Sequence, residues 1–425
     1  MKTVLYKILP TLLLLSACTA SDDQLPSRPD ESRAIGITAS IASADESDSV
    51  TRTSATEYNT TEALKTLGFG VFASNTGLHR YSDSNVSSNF MYNEHVEWNA
   101  TASAWTYSPI KYWPNGEGEA NTGDNSATGQ YDHFVSFFAY APYSDNDGSA
   151  PATNSAGYCI QSFSLQHEVT NPWLNYRLYP QTDAADQAFL TNQVDLLWAN
   201  PLIDRTKQTT TGRLPFEFKH ALACVGDKVT LNVSEAMKAT VQGEYAAADG
   251  QISKIEVALT SLQIDYTLTQ KARLVLWTTA AAYTANEANW QPILSENFTT
   301  SRIVQFLRTT DPEKVIYTYD GSDAPVAAEY DDKGVFYIPL QVGGQRQTAT
   351  IRATYVVRAY TTAAGDPTTV ERTTESAVTL NLADYTAAYK PGKRLDFGIE
   401  VNEKTLLVKA AIAKWEDVSS TYHAQ

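Results

Sequence analysis

Short runs with apolar residues at alternate positions recur along most of this chain, and no stretch keeps a helical period long enough to serve as a crossover between parallel strands. Ile35, Ile37 and Ile41 share one face of a short strand, and Leu67, Phe69, Val71 and Ala73 form the next. Phe134 to Tyr140 is a continuous apolar run bounded by turn residues, so both of its faces must be covered. Alternation returns at Leu214, Phe216 and Phe218, at Val229, Leu231 and Val233, at Ile255, Val257 and Leu259, and at Leu274 to Trp277. It continues through Phe336 to Leu340, Ile351 to Val357, Val378 to Leu382 and Leu395 to Val401, and ends at Leu406, Val408, Ala410 and Ile412. Side chains alternate across a strand, so each run buries one face and shows the other to water. The expected class is therefore all-β, built as antiparallel β-sandwiches.

The amino terminus has a different character. Lys2 and Lys7 precede an apolar run from Leu9 to Leu15, and Leu15-Ser16-Ala17-Cys18 closes it. This is an export signal of residues 1–17 ending on a cysteine, and the run is too short to span a bilayer. A thiol at the cleavage point is acylated through sulfur and then through its new amino group, and two or more acyl chains anchor stably where one does not. The chain therefore reads as a bacterial lipoprotein lipidated at Cys18. Thr19 to Arg33 is rich in Ser, Asp and Pro without apolar periodicity, as expected of a flexible tether.

Removing the signal takes away Lys2 and Lys7 and no acid, so the net charge moves from −16 to −18 over 408 residues. That charge repels phosphate backbones and anionic lipid surfaces, which argues against nucleic acid as a partner. Apart from Cys18, only Cys159 and Cys224 remain, enough for one disulfide and too few for a disulfide scaffold; two buried thiols are the preferred reading. Asn115 to Gln130 and Ser144 to Gly157 read as surface loops, and Ser234 to Gln251, rich in Ala, as a domain junction. The expected division is a tether and strand over 18–52, one sandwich over 53–238 and a second over 239–425.

Catalytic signatures are absent from the sequence. His167-Glu168 lacks the second histidine of a zinc-protease helix, and there is no nucleophile elbow, phosphate-cradling loop or Cys-x-x-Cys pair. Asp145 to Gly148 lacks the first and twelfth ligands of a calcium loop, whose places are held by Tyr143 and Asn154. His220 reads as a hydrogen-bonded structural residue, and Trp113 as buried rather than stacked on a sugar. No enzyme activity, cofactor or metal is expected.

Several pieces, weak singly and specific in their order, carry a resemblance. They are the cysteine at 18, Ile35 to Arg52, Phe69-Gly70-Val71-Phe72-Ala73, Lys111-Tyr112-Trp113-Pro114, Phe137 to Tyr143, Asp195 to Ala199, Phe218 to Leu222 and Ile412 to Trp415. In this the chain resembles the fimbrillins of Bacteroidia type V pili, including their Mfa-like members. The resemblance implies two transthyretin-like, Greek-key sandwiches, outer-membrane export as a lipoprotein, cleavage by an arginine-specific protease, and polymerisation with self or sister subunits by strand exchange. A host protein or glycan is the implied adhesion ligand. Asp22 and Asp23, just after the anchor, resemble the signal that sends such lipoproteins to the outer face of the outer membrane, and read equally as a solvated linker.

The residues give this scheme a physical basis. A sheet lacking one strand exposes unpaired backbone groups and an apolar groove, which Ile35 to Ile41 can fill until it is cut away. Arg52 lies among Ser, Asp and Thr, and cutting between Arg52 and Thr53 separates that strand from the fold, whereas cutting at Arg33-Ala34 leaves it attached. Leu406, Val408, Ala410 and Ile412 form one apolar face, suited either to a donated strand or to the last strand of the second sandwich. The alternative function is a non-polymerising surface lipoprotein that binds glycans.

Overall fold

The computed structural model describes residues 34–42, 61–77, 79–81, 88–114, 133–149, 154–164, 172–207, 210, 213–276, 288–293, 299–362 and 369–414. The first strands in chain order are β1 (Gly36–Ile41), β2 (Phe69–Gly77), β3 (Ser88–Asn99), β4 (Ala104–Thr106), β5 (Phe134–Ala141), β6 (Ile160–Phe163), β7 (Trp173–Arg177) and β8 (Leu197–Ala199). Next come β9 (Leu202–Arg205), β10 (Arg213–His220), β11 (Ala223–Val233), β12 (Ile252–Thr269), β13 (Lys271–Val275), β14 (Asn289–Gln291), β15 (Thr299–Leu307) and β16 (Lys314–Tyr319). The last are β17 (Asp323–Pro325), β18 (Ala328–Tyr330), β19 (Val335–Tyr337), β20 (Thr348–Thr361), β21 (Thr369–Asn381), β22 (Lys393–Val401) and β23 (Leu406–Lys414). Among the described residues, four α-helices intervene: α1 (Thr61–Leu67), α2 (Ser155–Cys159), α3 (Ala188–Asn192) and α4 (Glu235–Ala247).

The strands form four sheets. The eight-stranded sheet runs β1-β10-β8-β5-β2-β3-β4 with β9 also on β5, and a six-stranded sheet runs β17-β16-β12-β20-β21 with β15 also on β12. A five-stranded sheet runs β18-β11-β22-β23 with β19 also on β11, and a four-stranded sheet runs β14-β13-β7-β6. The architecture is thus mostly β, as the alternating runs require. Two pairings depart from the antiparallel expectation, because β1 lies parallel to β10 and β11 parallel to β22. Neither pair is a hairpin, and strands so distant in sequence are free of the connection that makes neighbours antiparallel.

Two apolar clusters lie on opposite faces of the eight-stranded sheet, which accounts for the continuous run in β5. All eight residues of β5 are buried. Val135, Phe137, Ala139 and Ala141 enter one cluster with Ile35, Ile37, Phe69, Leu214, Phe216 and Phe218. Phe138 and Tyr140 enter the other, which continues through the remaining sheets. Gly70 faces Tyr140 across the β2–β5 ladder, and a Cβ there would lie 2.3 Å from the Tyr140 ring, so only glycine lets that ring lie flat on β2.

The stretch expected as a junction, Ser234 to Gln251, holds helix α4. The Ser234 hydroxyl accepts from the Met237 backbone N–H at 3.2 Å, an N-terminal cap, and Met237 and Val241 bury one side four residues apart. The polar Ala-rich remainder has the intrinsic preference for helix that a search for strand periodicity passes over. Position 238 falls within α4, and the ladders between β11 and β22 and between β7 and β13 join residues on either side of it.

Cys159 and Cys224 are buried and not joined in a disulfide, and burial pushes the Cys159 thiol up to about 12. Residues 115–130 lie outside the described residues. The loop from Ser144 is tied down more than its composition suggests: Ser144 is buried, its hydroxyl donates to the Ile160 carbonyl at 2.7 Å, and the Asn146 amide donates to the Gly157 carbonyl at 2.6 Å.

Candidate functional site

β1 occupies the end of the eight-stranded sheet, where it has one ladder partner. Its parallel register against β10 places Ile37 beside Leu214, Ala39 beside Phe216 and Ile41 beside Phe218. Ile35 and Ile37 are 2% and 3% exposed, while Ala39 and Ile41 are half-buried against the same cluster. The outward residues Gly36, Thr38 and Ser40 are small, and Ser40 is exposed. Phe69 packs edge-on to Phe216, Phe218 and Trp105, and Leu64 of α1 joins the same cluster, so the floor under β1 is aromatic and closed. Burying two isoleucine side chains stabilises the strand by about 1.5–3 kcal/mol each, an upper estimate because the unfolded chain is itself partly collapsed.

The far end of the sheet comes round to meet β1. Ala34 bridges Tyr112 antiparallel, the Ile35 N–H donates to the Lys111 carbonyl at 3.0 Å, and β1 packs against β4, the opposite end of the strand order. The Tyr107 hydroxyl donates to the Ile35 carbonyl at 2.9 Å. Burial pushes that hydroxyl up to about 12, so it remains a donor through the neutral range. β1 is thus the seam that closes the sheet around the smaller apolar cluster. Without it, β10 would present an open ladder over Leu214, Phe216 and Phe218.

β23 lies at the end of the five-stranded sheet, antiparallel to β22 from Leu406 opposite Val401 to Lys414 opposite Lys393. Leu406 is buried, Val408, Ala410 and Ile412 are half-buried against the larger cluster, and Leu407 is 46% exposed. Its inward residues repeat those of β1 in the same order and spacing. Ile35, Ile37, Ala39 and Ile41 correspond to Leu406, Val408, Ala410 and Ile412, with alanine third and isoleucine last in both. Cys18, Arg52 and Thr53 lie outside the described residues, Ala42 being the last described before 61.

Beneath β22 the sequence pattern misses a buried ion cluster. Arg394 and Asp396 fall between the apolar residues of β22, where exposed positions are expected, yet Arg394 donates to Asp227 and to Asp396, each at 3.1 Å, with all three buried. The register of β11 against β22 shifts between Val225 and Val229, which brings Asp227 over the arginine, and the Lys228 N–H donates to Asp396 at 3.0 Å. Only a buried arginine flanked by acids of opposite sign could have signalled this, and that pattern is common on surfaces.

The remaining sequence candidates are structural. Trp113 is buried with its ring centroid 5.8 Å from that of Phe137, and His220 Nδ1 lies 2.7 Å from the buried Asp195 carboxylate. Asn146 and Asp147 accept from the backbone N–H groups of Gly148 and Ser149, as turn residues do. Among the described residues, no three His, Cys, Asp or Glu side chains could together hold a metal ion.

β1 thus closes an apolar seat from the sheet edge, and residues 42–60 separate it in sequence from α1. No protein-family profile matches the chain. Over 236 residues it is 25% identical to the fimbrium subunit Fim1C of Phocaeicola vulgatus, a match spanning 54% of this chain and about half, 53%, of that relative. With the ordered motifs above, the chain is similar to fimbrillins. Distant likenesses occur among solved structures. A candidate cell-adhesion protein from Bacteroides uniformis is 10% identical with a TM-score of 0.34, over 91% of this chain and 99% of that one. The fimbrial anchor protein Mfa2 from Porphyromonas gingivalis is 9% identical with a TM-score of 0.27, over 90% and 98%.

Proposed function

We propose that this chain is a subunit of a cell-surface fimbria that contributes to adhesion, exported as a lipoprotein anchored through Cys18 in the outer membrane. Residues 1–17 are the signal and 18–52 carry the tether and a removable strand. An arginine-specific protease cuts between Arg52 and Thr53, the fragment bearing β1 leaves, and a strand from another subunit takes its place. The observation that carries this reading is β1 itself, an edge strand that closes an apolar seat without being continuous with any other strand. The repeat of its inward pattern in β23 supports a second copy of this chain as the donor, with Val408 over Leu214, Ala410 over Phe216 and Ile412 over Phe218. Two transthyretin-like units, 53–238 and 239–425, complete the proposal; the smaller apolar cluster draws on the first and on residues 35–41 that cap it, and the ladders across 238 would be the contact between them.

Digestion of the folded chain with an arginine-specific protease tests the scheme. N-terminal sequencing should find Thr53, and light scattering should show oligomers growing as the fragment is lost. A first cut leaving Ala34 as the new N-terminus, or a chain that stays monomeric once the fragment is gone, contradicts it.

A further inference from the structure

The longest strand at a sheet end is β21. Among the described residues it has β20 as its one ladder partner, and that ladder runs from Thr348 opposite Asn381 to Tyr360 opposite Thr369 with no shift of register. β21 has 13 residues, whereas the strands at the other sheet ends have between 3 and 9. Soluble sheets blunt such edges with proline, lysine, a bulge or a covering segment. β15 shows one such cover: Gln181 accepts from the Ile303 N–H at 2.6 Å and Gln187 from the Gln305 N–H at 3.0 Å, and both side-chain amides donate to the Ile303 carbonyl. β21 has no proline, lysine or bulge, and its residues from Thr369 to Thr373 are all exposed. A long edge left regular and open is suited to pairing with another strand.

The residues of β21 match themselves in one register. Two copies paired edge to edge and antiparallel are related by a two-fold axis normal to the sheet, which leaves every side chain on its own face. Facing residues are then identical or an even number of positions apart, and the axis passes through one residue. An axis through Glu371, Arg372 or Glu375 sets two like charges face to face, and one through Thr373 sets Glu371 opposite Glu375 of the copy, arrangements that destabilise a ladder. Axes through Thr374 and Ser376 oppose no like charges. The first brings Val370 opposite Val378, whereas the second leaves Val370 beyond the end of the paired strand and sets Arg372 opposite Leu380. Val370 is 62% exposed, the most of any large apolar side chain among the described residues, and Val378 is half-buried against the larger cluster.

We infer that two copies of this chain pair through β21, antiparallel about Thr374, so that their six-stranded sheets become one continuous sheet. Residues 369 to 379 of the two strands then face one another, and the ladder supplies about ten backbone hydrogen bonds. Glu371 faces Ala377 of the copy, Arg372 faces Ser376, and Thr373 faces Glu375. The match of charge and apolar side chains is what selects a second copy, since an unrelated strand has no reason to provide it. One strand pair is a small contact, which corresponds to a dissociation constant of about 10–100 μM. The inference is independent of strand exchange, because the seat of β1 is on another sheet and the edge of β21 is open in the uncut chain.

Sedimentation velocity of the uncut chain, kept reduced so that no thiol links copies, should show monomer giving way to dimer between about 5 and 200 μM. Ala377 is exposed, and in the dimer it faces Glu371 of the copy on both sides of the axis. Ala377→Glu should therefore weaken pairing about fivefold or more at an unchanged melting temperature, whereas Ala377→Lys should not weaken it. Glu371→Lys combined with Ala377→Glu restores opposite charges across the ladder and should recover pairing, because no other axis sets those two positions face to face. A chain monomeric throughout that range, Ala377→Glu pairing as well as Ala377→Lys, or a double variant no better than Ala377→Glu would each overturn the inference.

Discussion

β1 and β23 carry the same apolar spacing at opposite ends of the chain and sit at the ends of two different sheets, yet they are held very differently. Ile37 of β1 and Ile35 just before it are buried almost completely, and a tyrosine hydroxyl and the Lys111 carbonyl grip the backbone of Ile35. β23 buries one leucine and leaves its other three inward residues half-covered, while the strand beside it is fixed independently by Arg394 and its two aspartates. A strand seated deeply but joined only through a long connection is tightly held until that connection is cut. One seated shallowly beside an independently anchored neighbour can leave its own sheet at lower cost. In the proposed scheme these are the properties of a plug and of a donor.

Changing the inward residues sharpens the contrast most. Ile37→Asp puts a charge into the seat and should destabilise the uncut chain by about 3–5 kcal/mol in chemical denaturation, with wild type and variant converging once residues 18–52 are removed. Persistent divergence would make β1 a permanent strand. Arg394→Leu leaves two buried carboxylates without their partner and should cost about 3–5 kcal/mol before and after cleavage alike, since β22 belongs to the body. Truncating a deeply buried and a half-buried isoleucine comes next: Ile37→Ala should cost about 2–4 kcal/mol and Ile412→Ala about 1 kcal/mol. Equal costs would remove the difference between deep and shallow seats.

Tyr107→Phe is the gentlest change. Loss of its bond to the Ile35 carbonyl should cost about 1 kcal/mol at neutral pH. In the folded chain the hydroxyl titrates near 12 against an ordinary value of 10, so this group's contribution is fully present below pH 10 and is lost as pH rises through about 12. The advantage of wild type over the variant should therefore shrink across that window in urea melts taken at successive pH values, and a constant gap would mean that the hydroxyl does not hold β1.

Much of this was legible from period-two alternation. The runs at Ile35, Leu214, Ile255 and Leu406 are all strands, and the unbroken run at Phe134 has both faces covered because a sheet with a cluster on each side needs apolar residues at every position. Pairing was not legible, because nothing in Ile35 to Ile41 states that its neighbour is 177 residues away and parallel. Nor was α4, whose signal is a cap and alanine rather than an apolar stripe. The open edge of β21 was hidden for a related reason: its run alternates like the others, and only the ladder to β20 shows which side is left over.

The central claim is that the seat vacated by β1 accepts β23 of another copy in one register. In a chain carrying Glu217→Cys and Ala411→Cys, that register brings the two thiols opposite each other across the junction between copies. The native Cys159 and Cys224 thiols are buried. Under mild oxidation the account predicts a ladder of disulfide-linked oligomers that appears only after cleavage at Arg52 and is absent from either single variant. Cleaved chains that assemble without forming the linkage, or uncut chains that form it equally well, would contradict the account.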